Sequence, residues 1–307
     1  MANIKTILIA GPTASGKSQL AIDLAMQIDG VIINADSMQV YKNLSILTAR
    51  PQLNELSMAP HLLYGFVPGE QAYSVGRFVE DAHNVIAKSA VSGQIPIFVG
   101  GTGLYFKALL NGLSPTPQIP LHIRHYWRTK ARQITSRKLY ETLCNRDYEM
   151  ARRLQPSDRQ RIVRALEVLD ATGKSLAYWQ QIPGASVLPC APKLQIVLNP
   201  ERKILNHNCE VRLKKMIAHG AIEEVETLSS MKLNMEMPIM RALGVQPLLA
   251  HLQDRINLQD AIETTQAETR RYIKRQLTWF RKNMSTWSWV SEQQSKLLRD
   301  DIIRIVR

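Results

Sequence analysis

The stretch that decides the fold is a glycine-bounded loop near the N-terminus. It reads Gly11-Pro12-Thr13-Ala14-Ser15-Gly16-Lys17-Ser18 and fits G-x-x-x-x-G-K-[ST] at every fixed position. An apolar run, residues 6–10, precedes it, and apolar residues at helical spacing follow it up to Asp29-Gly30. Backbone amides of such a loop and a helix N-terminus attract an anion, to which Lys17 adds a charge and Ser18 a hydroxyl ligand for Mg²⁺. All eight residues are therefore predicted to bind phosphate groups, and ATP, GTP or an organic diphosphate would satisfy the motif.

Further strand and helix signals alternate along the chain. Strand candidates lie at 31–33, 95–99 and 194–198, and helical spacing marks 78–90 and 261–284. This alternation predicts an α/β fold, a P-loop NTPase-like doubly wound parallel sheet. Pro-rich stretches at 114–120 and 182–192 bound a region of helix-like sequence without a strand signal. We therefore expect an α-helical insertion at residues 115–193 within a catalytic core made of residues 1–114 and 194–307.

The positive charge of the chain is unevenly distributed. The 307 residues include 39 Lys+Arg and 26 Asp+Glu, for a formal net charge of +13 and a pI near 9.8. Residues 121–164 hold 12 Lys/Arg against 4 Asp/Glu, and residues 270–282 hold 6 against none, so the rest is close to neutral at −1. Two dense basic clusters in an otherwise neutral chain favour a phosphate-rich partner such as nucleic acid over merely solvated helix faces.

Composition excludes several classes of protein. With 45% hydrophobic and 21% charged residues, the chain has an ordinary globular composition, and no run approaches 18 apolar residues. The N-terminal apolar stretch is too short for a signal peptide. Cys144, Cys190 and Cys209 are far apart and form no C-x-x-C pair, so neither a zinc site nor a disulfide framework is expected. We expect a cytoplasmic protein with no membrane partner.

Two more strand ends carry side chains suited to catalysis or ligand binding. The second strand candidate leads to Asp36, and the third leads into a glycine-rich turn that contains Thr102. Ligands of open α/β sheets bind beyond the carboxyl ends of the strands, so Lys17, Asp36 and Thr102 are predicted to converge on one crevice. Asp36 is either a turn cap or a functional group, acting as a general base or as a Mg²⁺ partner. Thr102 either belongs to a turn shaped by its glycines or uses its hydroxyl to donate to a phosphate oxygen or to orient the nucleophile. The third strand does not end in the Asp expected of a Walker B strand. No Asn-Lys-x-Asp motif appears, which argues against a GTPase.

Several motifs together resemble the bacterial tRNA dimethylallyltransferase (tRNA isopentenyltransferase) family. They are the phosphate loop, Asn-Ala-Asp-Ser-Met-Gln-Val-Tyr at 34–41, Val-Gly-Gly-Thr-Gly-Leu-Tyr at 99–105, and the segments 158–168 and 269–281. The resemblance implies transfer of a dimethylallyl group from dimethylallyl diphosphate to N6 of adenosine 37, next to the anticodon, in tRNAs reading codons that start with U. It implies Mg²⁺ as cofactor, bridging Ser18 and the diphosphate, and the anticodon stem-loop of tRNA as macromolecular partner. We expect a monomer.

The resemblance also implies residue roles. Asp36 would accept the proton of the attacking amine, and Lys17 would stabilise the departing diphosphate. Thr102 would be a third catalytic residue. The tRNA-binding positions implied are Asp36, Ser37, Met38, Gln39, Thr102, Arg124, Gln160, Arg161, Ile162, Val163 and Arg164. The target base would leave its stack to reach the carboxylate, as in other enzymes that modify a base.

Three alternative functions share the phosphate loop. A small-molecule P-loop kinase would use Asp36 to deprotonate a hydroxyl, but it does not explain a basic insertion of this size. An adenylate prenyltransferase would use the same donor with AMP as acceptor and needs no tRNA-binding insertion. A non-catalytic nucleic-acid-binding protein does not explain the convergence of Asp36 and Thr102 on the loop. Trp279, Trp287 and Trp289 are expected to pack rather than to stack on bases, and His122 and His125 to be solvated.

Overall fold

The computed structural model describes residues 5–188, 190–291, 299, 300 and 302. The chain forms two compact units, one made of residues 1–110 and 187–307 and the other of residues 111–186. The first unit contains the phosphate loop, and the second is the helical interruption of the sequence. Within the part of the chain that is described, no helix is long and apolar enough to span a bilayer.

The first unit is built on a parallel sheet of six strands. These are β1 Thr6–Ala10, β2 Gly30–Asn34, β3 His61–Leu62, β4 Ile95–Gly100, β5 Lys193–Leu198 and β6 Ser288–Val290. Their spatial order is β3-β2-β4-β1-β5-β6, and every pairing is parallel. The order reverses at β1, so the two halves of the sheet extend in opposite directions from the strand that feeds the phosphate loop. This is the predicted doubly wound sheet, and the expected fold class is confirmed.

Helices cover both faces of this sheet. In the first unit they are α1 Lys17–Ile28, α2 Leu53–Leu56, α3 Val75–Val91, α4 Gly103–Asn111, α10 Arg202–Ala218, α11 Ala221–Ser230, α12 Val245–Leu252 and α13 Leu258–Asn283, where α4 ends at the border of the second unit. Alternate residues of β1 point to opposite faces. Ile7 and Ile9 pack with α1, whereas Leu8 and Ala10 belong to the larger core that includes α3 and α12. Fully buried apolar strands of this type are typical of parallel sheets covered on both sides.

The second unit is helical, with its own core. It contains α5 Leu121–Gln133, α6 Ser136–Arg146, α7 Tyr148–Ala151, α8 Arg159–Thr172 and α9 Leu176–Gln181. Trp127, Leu139, Leu143 and Leu166 are among its most buried side chains. These helices lie between residues 121 and 181, within the region that the sequence predicts to be an α-helical insertion.

The borders of the second unit differ from the expected 115–193. The observed unit, 111–186, begins and ends earlier because the two connecting segments pack on each other before the chain returns to the core. A Cβ on Gly112 would lie 2.3 Å from the carbonyl oxygen of Ala185, so the two backbones are in direct contact. Val187 N–H then donates to Leu109 O at 3.2 Å and returns the chain to the first unit.

Two strands had no sequence signal. β3 has two residues and β6 has three, and both are edge strands. Such short segments show no period, so periodicity cannot identify them. β6 contains Trp289, and Trp287, just before it, packs edge-to-face on Phe106 with 6% of its surface exposed. The ring of Trp279 lies within 2.1 Å of where a Cβ on Gly103 would be. All three tryptophans are thus engaged in packing, as expected, and His122 and His125 are exposed.

Candidate active site

The phosphate loop connects β1 to α1 and is shaped by left-handed backbone positions. Gly16, the N-cap of α1, has φ 84°, and Ala14 has φ 63°. Ser15 N–H donates to Pro12 O at 3.3 Å and closes the turn. Ser15 Oγ is buried without a hydrogen-bond partner among the described residues, although buried polar atoms are normally paired. An unpaired donor beside a helix N-terminus is what an anion-binding loop requires.

Lys17 extends from the first turn of α1 back over this loop. Its Nζ donates to Pro12 O at 3.2 Å. Burial lowers the pKa of Lys17 to about 8, the nearby Asp36 carboxylate raises it in part, and the Arg212 guanidinium lowers it further. The desolvated ammonium therefore lies in a region with surplus positive charge. An anion with two or more charges would relieve this surplus.

Asp36 follows β2 in a tight turn. Its backbone N–H donates to Asn34 Oδ1 at 2.8 Å, and its Oδ1 accepts from Met38 N–H at 2.9 Å. Its Oδ2 makes no hydrogen bond within the described part of the chain. The two roles considered for this residue thus apply to different atoms, because Oδ1 caps the turn while Oδ2 stays available for proton transfer.

Thr102 supports the Asp36 turn. Its Oγ1 accepts from Ser37 N–H at 2.9 Å and donates to Ser37 Oγ at 3.3 Å, and its own N–H donates to Ala35 O at 3.2 Å. Thr102 is not one of the residues that line the cavity described next. Its contacts position residues 35–37 and do not direct the hydroxyl to a ligand. This corresponds to the turn-shaping alternative for Thr102.

A cavity of about 910 Å³ is lined by both Lys17 and Asp36. Thr13, Lys17 and Ser18 form its anion end, and Asp36, Ser37, Met38 and Gln39 its second side. The apolar wall of the cavity is formed by Ile46, Leu47, Leu213, Met216, Ala242 and Leu243. Tyr272, Arg275 and Gln276 of α13 also line the cavity, and burial together with Asp36 raises the pKa of Tyr272. The predicted convergence of Lys17 and Asp36 therefore holds, and all lining residues belong to the first unit.

Arg212 is a site residue that the sequence motifs do not identify. It extends from α10, donates to Thr13 Oγ1 from one terminal nitrogen, and has a buried Nε without a partner among the described residues. Burial lowers the pKa of Arg212. A signal for it exists in the topology: β5 pairs with β1, so the helix after β5 must begin beside the phosphate loop.

The remaining candidate residues lie in the second unit. Gln160 and Arg161 are exposed on the first turn of α8, and Val163 and Arg164 are partly exposed. Arg124 on α5 has a buried Nε without a partner among the described residues. Ile162 differs from the expectation, because its side chain is completely buried in the core of this unit. Helical periodicity turns position 162 inward while its neighbours face outward, so its side chain serves packing.

Fold and site together define a P-loop α/β protein in which one cavity joins an anion site, a carboxylate and an apolar wall. The family model described as IPP transferase matches residues 39–283, and one described as isopentenyl transferase matches residues 4–63. A tRNA dimethylallyltransferase of Rhizobium meliloti (strain 1021) is 46% identical over 291 residues, covering 94% of this chain and 96% of the relative. The chain belongs to the IPP transferase family.

Solved structures agree with this assignment. A tRNA isopentenylpyrophosphate transferase from Staphylococcus epidermidis superposes with a TM-score of 0.69 at 30% identity, covering 98% of each chain. A eukaryotic dimethylallyltransferase described as acting on tRNA gives a TM-score of 0.80 at 30% identity, covering 94% of this chain and 74% of that one. The resemblance found in the motifs is thus confirmed.

Proposed function

We propose that this protein transfers the dimethylallyl group of dimethylallyl diphosphate to N6 of adenosine 37 in tRNAs that read codons starting with U, giving N6-isopentenyladenosine. The observation that carries the proposal is the single cavity in which Lys17 and the phosphate loop, an apolar wall, and Asp36 adjoin. A prenyl diphosphate matches the anion site and the apolar wall of this cavity, because it is an anion joined to a short hydrocarbon. The names of the relatives support a dimethylallyl group as the group transferred and tRNA as the substrate.

The donor is held by charge and by shape. Its diphosphate would bind at the phosphate loop near Lys17 and Arg212, and its hydrocarbon would contact apolar residues of the same cavity such as Leu213 and Met216. As the C1–O bond breaks, negative charge grows on the departing diphosphate. Buried, preoriented cations stabilise that charge more in the transition state than in the ground state.

The acceptor amine needs a base. The lone pair of N6 is delocalised into the adenine ring, so the nitrogen attacks C1 only weakly. As the N6–C1 bond forms, one N6 proton moves to Asp36 Oδ2, the oxygen left free by the turn. The products are N6-isopentenyladenosine, diphosphate and a protonated Asp36, which returns its proton to water.

The donor set around the phosphate loop fits Mg²⁺. Ser18 supplies a hydroxyl oxygen of the kind that Mg²⁺ takes, and no cluster of three His, Cys, Asp or Glu side chains that could hold a metal occurs among the described residues. Mg²⁺ is commonly held by one or two protein oxygens plus substrate phosphates, so a site completed by the diphosphate is consistent with this set. When bound, the ion would neutralise charge on the diphosphate oxygens.

The deciding experiment is a transfer assay. Incubation with Mg²⁺, dimethylallyl diphosphate and unmodified tRNA should add one five-carbon unit to one adenosine, detected by nuclease digestion and mass spectrometry. A tRNA with guanosine at position 37 is the matched negative substrate. Turnover of ATP with a small alcohol would instead support the kinase, and prenylation of AMP in preference to tRNA would support the adenylate prenyltransferase.

The role of Asp36 is tested by Asp36→Asn. The amide oxygen can still accept from Met38 N–H, so the turn and the fold should persist, while the base is lost. General-base catalysis contributes about 10²–10⁴-fold, so transfer should fall by that factor with tRNA affinity little changed. Turnover near the wild-type value would remove Asp36 as the base.

We further infer that the second unit binds the anticodon stem-loop, with Gln160, Arg161 and Arg164 at exposed or partly exposed positions of α8. Its excess of basic residues supports this role. The affinity for tRNA should therefore fall steeply as salt rises, because phosphate contacts release counterions. An Arg161→Gln variant should reduce the slope of log K against log[salt] by about 1. A salt-independent affinity would contradict the proposed role of this unit.

A further inference from the structure

A buried glutamine on α13 connects two loops of the cavity. Gln276 has 6% of its surface exposed and lies on the buried face of α13 with Ile273, Leu277 and Phe280. A polar amide at such a position must be hydrogen-bonded to avoid a desolvation penalty. The roles proposed above do not use this side chain.

Both ends of the Gln276 amide are paired with backbone groups of different loops. Gln276 Oε1 accepts from Thr13 N–H, in the phosphate loop, at 3.1 Å. Gln276 Nε2 donates to Gly101 O, in the turn after β4, at 2.9 Å. The orientation of the amide is fixed by chemistry, because a backbone N–H can only donate and a carbonyl can only accept.

One of the two loops joined in this way contributes to the anion site, and the other lies beside the proposed general base. Thr13 belongs to the anion site, and its hydroxyl also accepts from Arg212. Gly101 borders Asp36, since a Cβ on Gly101 would lie 3.4 Å from Asp36 Oδ2 and only 2.3 Å from Gln276 Nε2. The next residue, Thr102, holds the Asp36 turn through Ser37. A single side chain therefore bridges the loop of the leaving group and the turn beside the base.

We propose that Gln276 is a positioning residue that sets the distance between the diphosphate cradle and the Asp36 turn. This inference rests on the proposed prenyl transfer. The departing diphosphate oxygen, C1 and N6 must align for displacement, and Asp36 must reach an N6 proton in that same arrangement. A misplacement of about 1 Å in such an arrangement can cost about 10²-fold in rate without loss of ground-state binding.

The test begins with Gln276→Met, which keeps the volume and removes both hydrogen bonds. Gln259→Met is the matched control, because Gln259 is on the same helix, is exposed, and bonds only to Glu263. At saturating tRNA and dimethylallyl diphosphate, kcat of the Gln276 variant should fall about 10–100-fold relative to the control. The dissociation constant of inorganic pyrophosphate, measured by calorimetry, should change by less than about threefold, since Lys17 and the loop remain.

A second variant separates positioning from simple stability. Gln276→Glu keeps the acceptor for Thr13 N–H but, when ionised, opposes Gly101 O with a second acceptor. Protonation restores a donor, so the ratio of kcat for the variant to kcat for the wild type should rise as pH falls. Dividing by the wild-type rate removes the titration of groups that both enzymes share. A merely structural role would give no such pH dependence.

The outcomes are distinguishable. A folded Gln276→Met protein with kcat within twofold of the control overturns the inference, as does a loss of kcat matched by an equal loss of pyrophosphate affinity. If that variant does not fold, a pH-independent ratio for Gln276→Glu overturns it. Absence of prenyl transfer by the wild type would instead refute the proposed function itself.

Discussion

Lys17 offers a prediction in which stability and function move in opposite directions. Its pKa is lowered from 10.5 to about 8, mainly by burial, so the folded protein bears a penalty for keeping this ammonium charged at neutral pH. At 1.36 kcal/mol for each pKa unit the full penalty is about 3 kcal/mol, and because Lys17 is only half-buried in the fold we expect about 2 kcal/mol of it to apply. Lys17→Met keeps the length of the side chain and removes the charge.

We therefore expect the ligand-free Lys17→Met protein to be more stable than the wild type by about 2 kcal/mol at pH 7, raising the melting temperature by about 4 °C. Lys88→Met is the control, because Lys88 is exposed in the last turn of α3 and should give no gain. The same Lys17 variant should lose affinity for pyrophosphate and lose transfer activity. Calorimetric melting and pyrophosphate titration measure the two effects.

The pH dependence of stability and of pyrophosphate affinity tests this prediction. The folded pKa of Lys17 lies below its unfolded value, so between about pH 8 and 10.5 the unfolded state binds more protons and wild-type stability rises with pH. The stability advantage of Lys17→Met should accordingly be complete below pH 8 and disappear by about pH 10.5. Wild-type affinity for pyrophosphate should fall about tenfold by pH 9 as the ammonium deprotonates. A variant that is less stable at pH 7, or an advantage independent of pH, would refute the reasoning.

Two further substitutions test contacts of segments next to the cavity residues. Glu224 on α11 accepts hydrogen bonds from the backbone N–H groups of residues 45–47, so Glu224→Gln, which offers one acceptor fewer, should cost about 2 kcal/mol in urea unfolding; an unchanged midpoint would contradict this. A Cβ on Gly100 would lie 2.2 Å from the backbone of Ala35. Gly100→Ala should therefore lower stability by several kcal/mol, on the order of the larger overpacking penalties. Gly76→Ala is the control, because Gly76 has open surroundings on α3, and it should be neutral or stabilising. Equal melting temperatures for the two glycine variants would show that the close approach is not rigid.

Much of the core could be predicted because its signals are local. The phosphate loop has a fixed spacing, and its neighbours β1 and α1 have distinct periods over five and twelve residues. The helical second unit was predicted from the absence of strand signals between its Pro-rich borders. β3 and β6 were missed because two or three residues carry no period, and the sheet alone determines that they pair.

The site was only partly predictable, because the directions of its side chains have no local signal in the sequence. The sequence indicated that Asp36 lies near Lys17, because strand ends share one edge of a parallel sheet. It did not indicate which oxygen of Asp36 is free, that Thr102 turns toward Ser37, or that Ile162 faces inward. Each of these depends on side-chain direction, which follows from packing and not from motif spacing.

By itself, the sequence determined the fold class, the phosphate loop and the division of positive charge between two segments. These properties reside in the order of neighbouring residues. Only the tertiary structure decided which distant groups meet, because Arg212 and Gln276 reach the phosphate loop across 199 and 263 positions of the chain. Such contacts arise when α10 and α13 pack beside β1 and β5, and only then does a cation or an amide far along the chain become part of the cavity.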